Sequence, residues 1–146
     1  MFLWLLLVLA PLTAAAVLAA RNPGNVAQTR PDHPEPALRT RRYPRRGNGT
    51  ALRQSVEAVI RARTTYGRSW RLAGTTPSPD GGFTVRAEVP VVFYTDDLEV
   101  RVQPDPAGAY WRVDVTSRSR VGKSDLGENR RHVVQLLSAL DLDLHD

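Results

Sequence analysis

Three stretches in the middle of the chain alternate strictly between apolar and polar residues. They are residues 83–89, 98–102 and 111–115. Segments rich in turn-forming residues separate them, and turns are expected at 95–97 and 104–108. A two-residue period places the apolar side chains of each stretch on one face of a β-strand. Short links favour antiparallel pairing of neighbouring strands. This part of the chain therefore predicts an antiparallel sheet with one apolar and one polar face.

Two amphipathic helices flank these three strands. A short stretch at 70–72 is predicted to form a fourth strand. The first helix is predicted over about 50–66, with Thr50 as its N-cap, and the second over about 125–142. Their apolar residues recur at three- and four-residue spacing, which gives each helix one face to bury. The expected fold is a two-layer α+β domain: an antiparallel sheet of about four strands with an N-terminal and a C-terminal helix on one face, preceded by a transmembrane or signal helix.

The polar face of the predicted sheet carries charges of both signs. Adjacent strands place basic residues opposite acidic ones, which favours cross-strand ion pairs and a solvated surface over a binding platform. The residues expected on this face are Thr84, Arg86, Glu88, Glu99, Arg101, Gln103, Arg112, Asp114 and Thr116.

The N-terminal segment, residues 1–20, is apolar and uncharged from residue 2 to residue 20. As a helix, this run is roughly 28 Å long, close to the thickness of a bilayer core. It lacks the basic start of a secretory signal, although small residues at 14–16 and 19–20 allow cleavage. We expect a single-pass membrane anchor; the alternative is a cleaved signal and export to the periplasm or cell surface. Arginines follow the run and none precedes it, which favours a cytoplasmic domain if the segment stays uncleaved.

Residues 21–48 are predicted to form an extended linker. They contain five of the eleven prolines, and seven arginines against one Asp and one Glu. Proline removes backbone donors and favours extended geometry. The cluster within Arg39–Arg46 can contact anionic lipid headgroups, or it can be an ordinary solvated spacer. The folded domain is accordingly expected over 49–146.

Composition excludes several classes of function. The net charge of +5 belongs to the linker, because residues 47–146 hold equal numbers of basic and acidic residues. A nucleic-acid-binding domain gathers its basic excess on a folded face, so none is expected. The chain has no cysteine, and its three histidines are scattered. We therefore expect neither disulfides nor a metal or cofactor, and the sequence identifies no protein partner.

The segment 117–131 joins the last strand to the last helix and is the candidate functional site. Continued alternation places Ser117 and Ser119 toward the core and Arg118 and Arg120 toward the polar face. Gly122 permits a tight turn, and Gly127 indicates a close backbone approach. Ser124 or Asp125 can cap the helix. Asn129 falls on the apolar stripe of the helix, where it must find hydrogen-bond partners, and the two serines are the natural ones.

Two runs, YTDDLEVRV at 94–102 and VTSRSRVGKSDLGENRRHVVQLLSAL at 115–140, make the chain resemble a known family. It is similar to the domain-of-unknown-function 1499 family of uncharacterised membrane-associated or exported bacterial and plastid proteins. The resemblance extends over about residues 70–141 and implies no activity. The matching positions are Asp96, Asp97, Ser117, Arg118, Ser119, Arg120, Gly122, Ser124, Asp125, Gly127, Asn129 and Arg130.

Three hypotheses explain this segment. In the first, the serines, glycines and acidic partners Asp96 and Asp97 only fix a strand-to-helix corner. In the second, the helix N-terminus and its basic neighbours bind an anion. In the third, Asp96 and Asp97 form the acid–base pair of an unidentified exported enzyme, although catalysis is the least expected. The predicted function is a small membrane-associated accessory or binding module; its candidate ligand residues are Arg118, Arg120, Lys123, Ser124, Asp125, Asn129 and Arg130.

Overall fold

The computed structural model describes residues 2–21 and 24–144. The outermost residues of the predicted 1–20 and 49–146 segments, Met1 and 145–146, lie outside it, as do Asn22 and Pro23 of the predicted linker. The elements in chain order are α1 (Phe2–Arg21), β1 (Val26–Gln28), the 3₁₀ helix η1 (Pro36–Leu38), β2 (Arg41–Pro44), α2 (Thr50–Arg61), β3 (Thr64–Thr65), β4 (Arg68–Ser69), β5 (Arg71–Pro77), β6 (Phe83–Pro90), β7 (Thr95–Pro104), β8 (Tyr110–Ser119) and α3 (Glu128–Leu144).

Within the described residues, the main sheet is antiparallel and has six strands, more than the four expected. Strands β5 to β8 form a meander in which each strand pairs with the next. The outer edge of β8 pairs with two short strands in succession, β2 over its first half and β1 near its end. Strands β3 and β4 form a separate two-stranded hairpin.

The predicted linker over 21–48 is wrong for most of its length. Its residues 26–28 and 41–44 are strands of the sheet, and Leu38 and Tyr43 are buried in the core. Prolines are compatible with this position because an edge strand leaves half its backbone donors unpaired. The folded domain thus begins near residue 24, well before the predicted boundary at 49.

The alternation of the three central strands is confirmed. Val85, Val100, Val113 and their in-phase neighbours are buried against α2 and α3, which cover one face of the sheet. On the other face, cross-strand pairs form as expected: Arg86 Nε lies 3.3 Å from Glu99 Oε2. This face is therefore a solvated, charge-paired surface. The core residues contributed by the helices are Leu52, Val56, Val59, Ile60, Val133, Leu136, Leu137, Ala139 and Leu140.

Helix α2 is shorter than predicted because the chain turns back soon after it. The helix ends at Arg61, and residues 64–69 form the β3–β4 hairpin. Both central residues of its turn, Tyr66 (φ 52°) and Gly67 (φ 74°), have positive φ. That geometry suits a two-residue hairpin turn. Thr50 is not the N-cap; Gly49 is, and the Thr50 amide donates to Asn48 Oδ1 at 3.2 Å.

The sequence predicted a turn at 95–97, but these residues form the start of β7. The turn lies one step earlier, where the Val91 amide donates to Tyr94 O at 2.8 Å. The pairing of Asp96 with Ser119 and of Asp97 with Arg118 continues the ladder to the end of β8. Strand geometry therefore fixes which way each of the two carboxylates points.

Helix α1 contains Pro11 within its apolar run. Within residues 2–21 and 24–144, no helix combines the length and apolar character that a membrane span requires. The expected transmembrane helix is thus unsupported.

Candidate functional site

The strand-to-helix corner begins where β8 ends and finishes at the first turn of α3. Gly122 (φ 89°) and Gly127 (φ 90°) both have left-handed backbone conformations, which glycine adopts without steric strain. Gly127 precedes α3 rather than lying in its first turn, since the helix begins at Glu128. Leu126, which falls within the helix predicted over about 125–142, precedes α3; it is exposed and has a positive φ of 55°. The two glycines and Leu126 therefore set the path of the chain into the helix.

The buried side chain of Asn129 joins α3 to the end of β8. Its Oδ1 accepts a hydrogen bond from Ser117 Oγ at 2.6 Å, and its Nδ2 donates to Ser119 Oγ at 2.8 Å. The predicted pairing of this Asn with the two serines is confirmed. All three side chains are buried, so these hydrogen bonds are shielded from water.

A third segment of the chain enters the same network through Asn25, the residue before β1, which sequence analysis missed. Asn129 Nδ2 also donates to Asn25 O at 2.8 Å, and the Ser119 amide donates to the same carbonyl at 2.9 Å. Asn25 Nδ2 in turn donates to Gly122 O at 3.0 Å. Nothing in the local pattern marks Asn25, because its role depends on β1 pairing with a strand over ninety residues away.

Asp125 caps α3, as predicted. Its Oδ1 accepts from the Gly127 amide at 3.0 Å and its Oδ2 from the Asn129 amide at 2.7 Å. The Glu128 amide donates to the Asp125 carbonyl at 3.1 Å, while Leu126 N donates to Ser124 Oγ at 3.4 Å. The protein's own carboxylate thus occupies the position that an anion would take at this helix N-terminus.

Carboxylates pair with Arg120 and Arg130, two of the arginines of the corner. Arg120 Nη2 lies 2.6 Å from Asp97 Oδ1 and 2.7 Å from Glu88 Oε1 on the polar face. Hydrogen bonds from Arg120 and then from Arg71 hold the pKa of Glu88 below its ordinary value. In the same way, a hydrogen bond from Arg130 lowers the pKa of Glu35, across the gap between α3 and η1.

Two predicted cationic ligands stay exposed. Arg118 and Lys123 form no ion pair with any side chain that the structure describes. Arg118 borders an open depression of about 440 Å³ on the polar face of the sheet. Glu88, Asp97 and Glu99 also line this depression, so its charge is mixed and does not favour anions. The seven predicted ligand residues are therefore neighbours in sequence but do not converge on one point.

Asp96 and Asp97 point to opposite faces of the sheet. The side chain of Asp96 is fully buried, whereas that of Asp97 is 55% exposed. Successive residues of a strand alternate in direction, so the two carboxylates cannot share a proton or flank one substrate. The structure separates the pair that the enzyme hypothesis brings together.

Behind Asp96 lies a buried histidine, His132, which the sequence showed only as one of three scattered histidines. The ring of His132 lies between two carboxylates: Nδ1 is 3.3 Å from Asp96 Oδ2, and Nε2 is 3.5 Å from Glu128 Oε2. Glu128 Oε1 accepts a hydrogen bond from the Tyr66 hydroxyl at 2.7 Å. His132 follows Asn129 by three residues and precedes Leu136 by four, a spacing that places it on the buried stripe.

Aromatic side chains pack beside the row of polar groups formed by Asp96, His132, Glu128 and Tyr66. Trp70 meets His132 edge-on, with ring centroids 5.7 Å apart, and Trp70 Nε1 donates to Thr65 Oγ1 at 2.6 Å. Burial raises the pKa of Tyr94, and the charges of Asp96 and Glu128 raise it further. The row therefore runs from the buried Asp96 through His132 and Glu128 to the exposed Tyr66.

This row has the parts of an acid–base relay but lacks the arrangement of a hydrolytic triad. In such a triad, a carboxylate orients one ring nitrogen and the other nitrogen activates a nucleophile. Here the second nitrogen of His132 faces Glu128 instead. Among the residues described, no group of three metal-ligating side chains could hold a metal ion. The geometry suits a polar contact that fastens α3 to β7 inside the core.

The profile of the family described as "Protein of unknown function (DUF1499)" matches residues 17–140. The chain belongs to the DUF1499 family. The match confirms the resemblance and extends it to β1, η1, β2 and α2, the part of the fold that the sequence motifs did not include. The match thus includes the described sheet, α2 and α3 as far as residue 140. Neither curated proteins nor solved structures give a significant match.

Proposed function

We propose that this protein is a small membrane-associated accessory domain, attached to a lipid surface through α1. The observation that carries the proposal is an apolar helix without cover. Residues 2–20 have no charge, and the large apolar side chains that the structure describes between residues 7 and 18 of α1 are exposed, with Leu7 at 63% and Leu12 at 60%. A helix that is apolar all round needs an apolar environment, and the folded domain does not provide one. Lipid is the cover that this composition suits best.

The geometry of the basic segment Arg39–Arg46 argues against a second lipid contact there. Arg41 pairs with Asp141, Arg42 pairs with Asp105, and Arg45 lies 4.7 Å over the ring of Trp111. These residues lie beside the start of β8, whereas α1 joins the domain beside its end. At about 3.4 Å per residue, the two positions are roughly 25 Å apart along the strand.

An anionic ligand at 117–131 has less support than membrane association. Arg120 and Arg130 are already paired with carboxylates, and Asp125 caps α3. The remaining candidates are Arg118 and Lys123, both exposed. Such a site is proposed only as a weak one, and stabilisation of the folded chain by inorganic phosphate is its test.

Membrane fractionation of the full chain tests the main proposal. We expect the full chain in the membrane fraction after a high-salt wash, and the chain shortened to residues 22–146 in the supernatant. If expression of the full chain gives a soluble, shortened protein whose N-terminus follows residue 16 or 19, attachment is overturned and the exported alternative is supported. A reporter fused after Asp146 then shows which side of the membrane the domain faces, which the arginines after α1 predict to be the cytoplasmic side.

A further inference from the structure

One end of the sheet carries most of the exposed large apolar side chains of the folded domain. Outside α1, eight such side chains are exposed in the described chain. Five of them lie together at the end where β6 turns into β7 and β8 leads into α3. We call this surface the apolar end; it consists of Tyr66, Val92, Phe93, Val121 and Leu126.

Strand pairing brings these residues to one place. Asp96 pairs with Ser119, so the turn at 91–94 lies beside the loop at 120–127. Arg68 donates a hydrogen bond to Val91 O and so holds the β3–β4 hairpin against the same turn. Phe93, at the tip of the turn, is 94% exposed, an unusual position for a phenylalanine on a solvated surface.

Two of these side chains are held in a costly backbone conformation. Tyr66 (φ 52°) and Leu126 (φ 55°) both lie in the left-handed region, where glycine or asparagine is the ordinary residue. Glycine would relieve this strain at either position. The chain therefore keeps large apolar side chains at exposed positions against local backbone preference, as observed at functional surfaces.

Cations surround the apolar end. Lys123 is exposed and forms no ion pair in the described structure, and Arg68 is exposed although it donates to Val91 O. Arg131 lies 5.2 Å over the ring of Tyr66 and also pairs with Glu128 at 2.6 Å, so Lys123 is the cation of this rim most available to lipid. The nearby carboxylates are largely used within the protein: Asp96 and Asp125 are buried, and Glu128 accepts from Tyr66. An apolar tip with a basic rim complements a bilayer surface that contains anionic lipid.

The course of the chain selects lipid as the occupant. Asn25 contacts Ser119 and Gly122, so the chain enters the domain at the apolar end. Helix α1 ends at Arg21, only four residues earlier, a reach of at most about 14 Å. The C-terminal end of α1, and any surface that covers this end of the helix, is thus tethered within reach of the apolar end.

We propose that the apolar end is a second lipid contact, which inserts Phe93 into the interface of the membrane that holds α1 and places the surrounding cations on lipid phosphates. This inference rests on the proposed function and adds an orientation to it: the sheet stands with the apolar end toward the bilayer and the β7–β8 turn away from it.

The absence of cysteine from the sequence gives a direct test. Single cysteines replace Ala16 in α1, Phe93 at the apolar end and Ala107 in the β7–β8 turn, each in the full chain. Each is labelled with an environment-sensitive dye and mixed with vesicles of phosphatidylcholine and phosphatidylglycerol. Spin-labelled lipids then quench any dye that reaches the bilayer. We expect a blue shift and several-fold stronger quenching at positions 16 and 93 than at 107.

The three positions separate the two proposals. Quenching at 16 without quenching at 93 would overturn the second contact and leave membrane attachment standing. Quenching at 93 without quenching at 16 would support the apolar end and overturn attachment through α1. A blue shift at 93 that lipid quenchers leave unchanged would place this end against protein and overturn the lipid contact. With vesicles of phosphatidylcholine alone, we expect quenching at 93 to be weaker than with the mixed vesicles and quenching at 16 to be unchanged. If position 93 is quenched equally in the two kinds of vesicle, the cations have no role in the contact.

Discussion

A hydrogen bond of 2.6 Å joins Asn129, in the first turn of α3, to Ser117, near the C-terminal end of β8. Both side chains are buried, so water does not reach this bond. Replacing Asn129 by Ala takes the hydrogen-bond partner from the buried hydroxyls of Ser117 and Ser119 and removes one of the two hydrogen bonds to Asn25 O. We expect Asn129→Ala to lower the free energy of unfolding by about 1–3 kcal/mol in denaturant titrations.

The matched control for this change is Ser138→Ala, on the exposed side of the same helix. It removes a similar polar group without stranding buried partners, so we expect it to change stability by less than about 0.5 kcal/mol. Equal effects of the two substitutions would mean that the Asn129 network does not hold α3 to the sheet.

The neighbouring carboxylates Asp96 and Asp97 give a second matched pair of substitutions. Asp96→Asn changes a fully buried group that faces His132, so we expect a loss of about 1–3 kcal/mol of stability. Asp97→Asn changes an exposed partner of Arg120 and should alter stability by less than about 1 kcal/mol. Thermal and denaturant unfolding of both variants measures the difference. Similar losses would show that burial does not distinguish the two positions.

The sequence was sufficient where neighbouring residues decide the structure. The period of two in β6, β7 and β8 predicted which side chains are buried, including Ser117 and Ser119. The spacing of Asn129 on α3 predicted its contact with these serines. Both inferences need only the geometry of one element and the order of adjacent ones, which is why they hold.

The sequence did not predict the features that depend on contacts between distant segments of the chain. Residues 26–44 are too polar and too rich in proline to indicate strands, and only the free edge of β8 makes them part of the sheet. The contact of His132 with Asp96 was missed because the acid–base hypothesis considered only the adjacent residues Asp96 and Asp97. His132 and Asp96 lie on different elements, and the turn predicted at 95–97 concealed the direction of that carboxylate.

The pair of Arg120 and Glu88 predicts how acid affects the polar face. The hydrogen bond from Arg120 lowers the pKa of Glu88, so the folded state favours the ionised carboxylate. This contribution to stability is present above the ordinary pKa of a glutamate and is lost as the pH falls through the lowered value. In Arg120→Ala, we expect the Glu88 titration, followed by NMR of its carboxyl carbon, to move toward higher pH.

Arg118→Ala is the control for this titration, because Arg118 lies next to the same depression without an ion pair in the described structure. It should leave the Glu88 titration nearly unchanged. An upward shift of similar size in both variants would indicate a general charge effect rather than the observed hydrogen bond.

Adding phosphate to both variants also tests the weak anion site: stabilisation that disappears only in Arg118→Ala would support it.

The position of the domain boundary makes the last prediction. A chain of residues 22–146 keeps β1, η1 and β2, whereas a chain of residues 49–146 loses them, together with the buried side chains of Leu38 and Tyr43. Tyr43 also donates a hydrogen bond to Asp141 Oδ1 at 2.7 Å, which fastens β2 to the end of α3. Removing two large core side chains costs about 2–5 kcal/mol each, a large part of the stability of a domain of this size. We expect residues 22–146 to give a cooperative thermal transition and dispersed NMR spectra, and residues 49–146 to be unfolded or aggregated. A folded 49–146 chain of equal stability would show that the first strands are dispensable and would restore the linker that the sequence predicted.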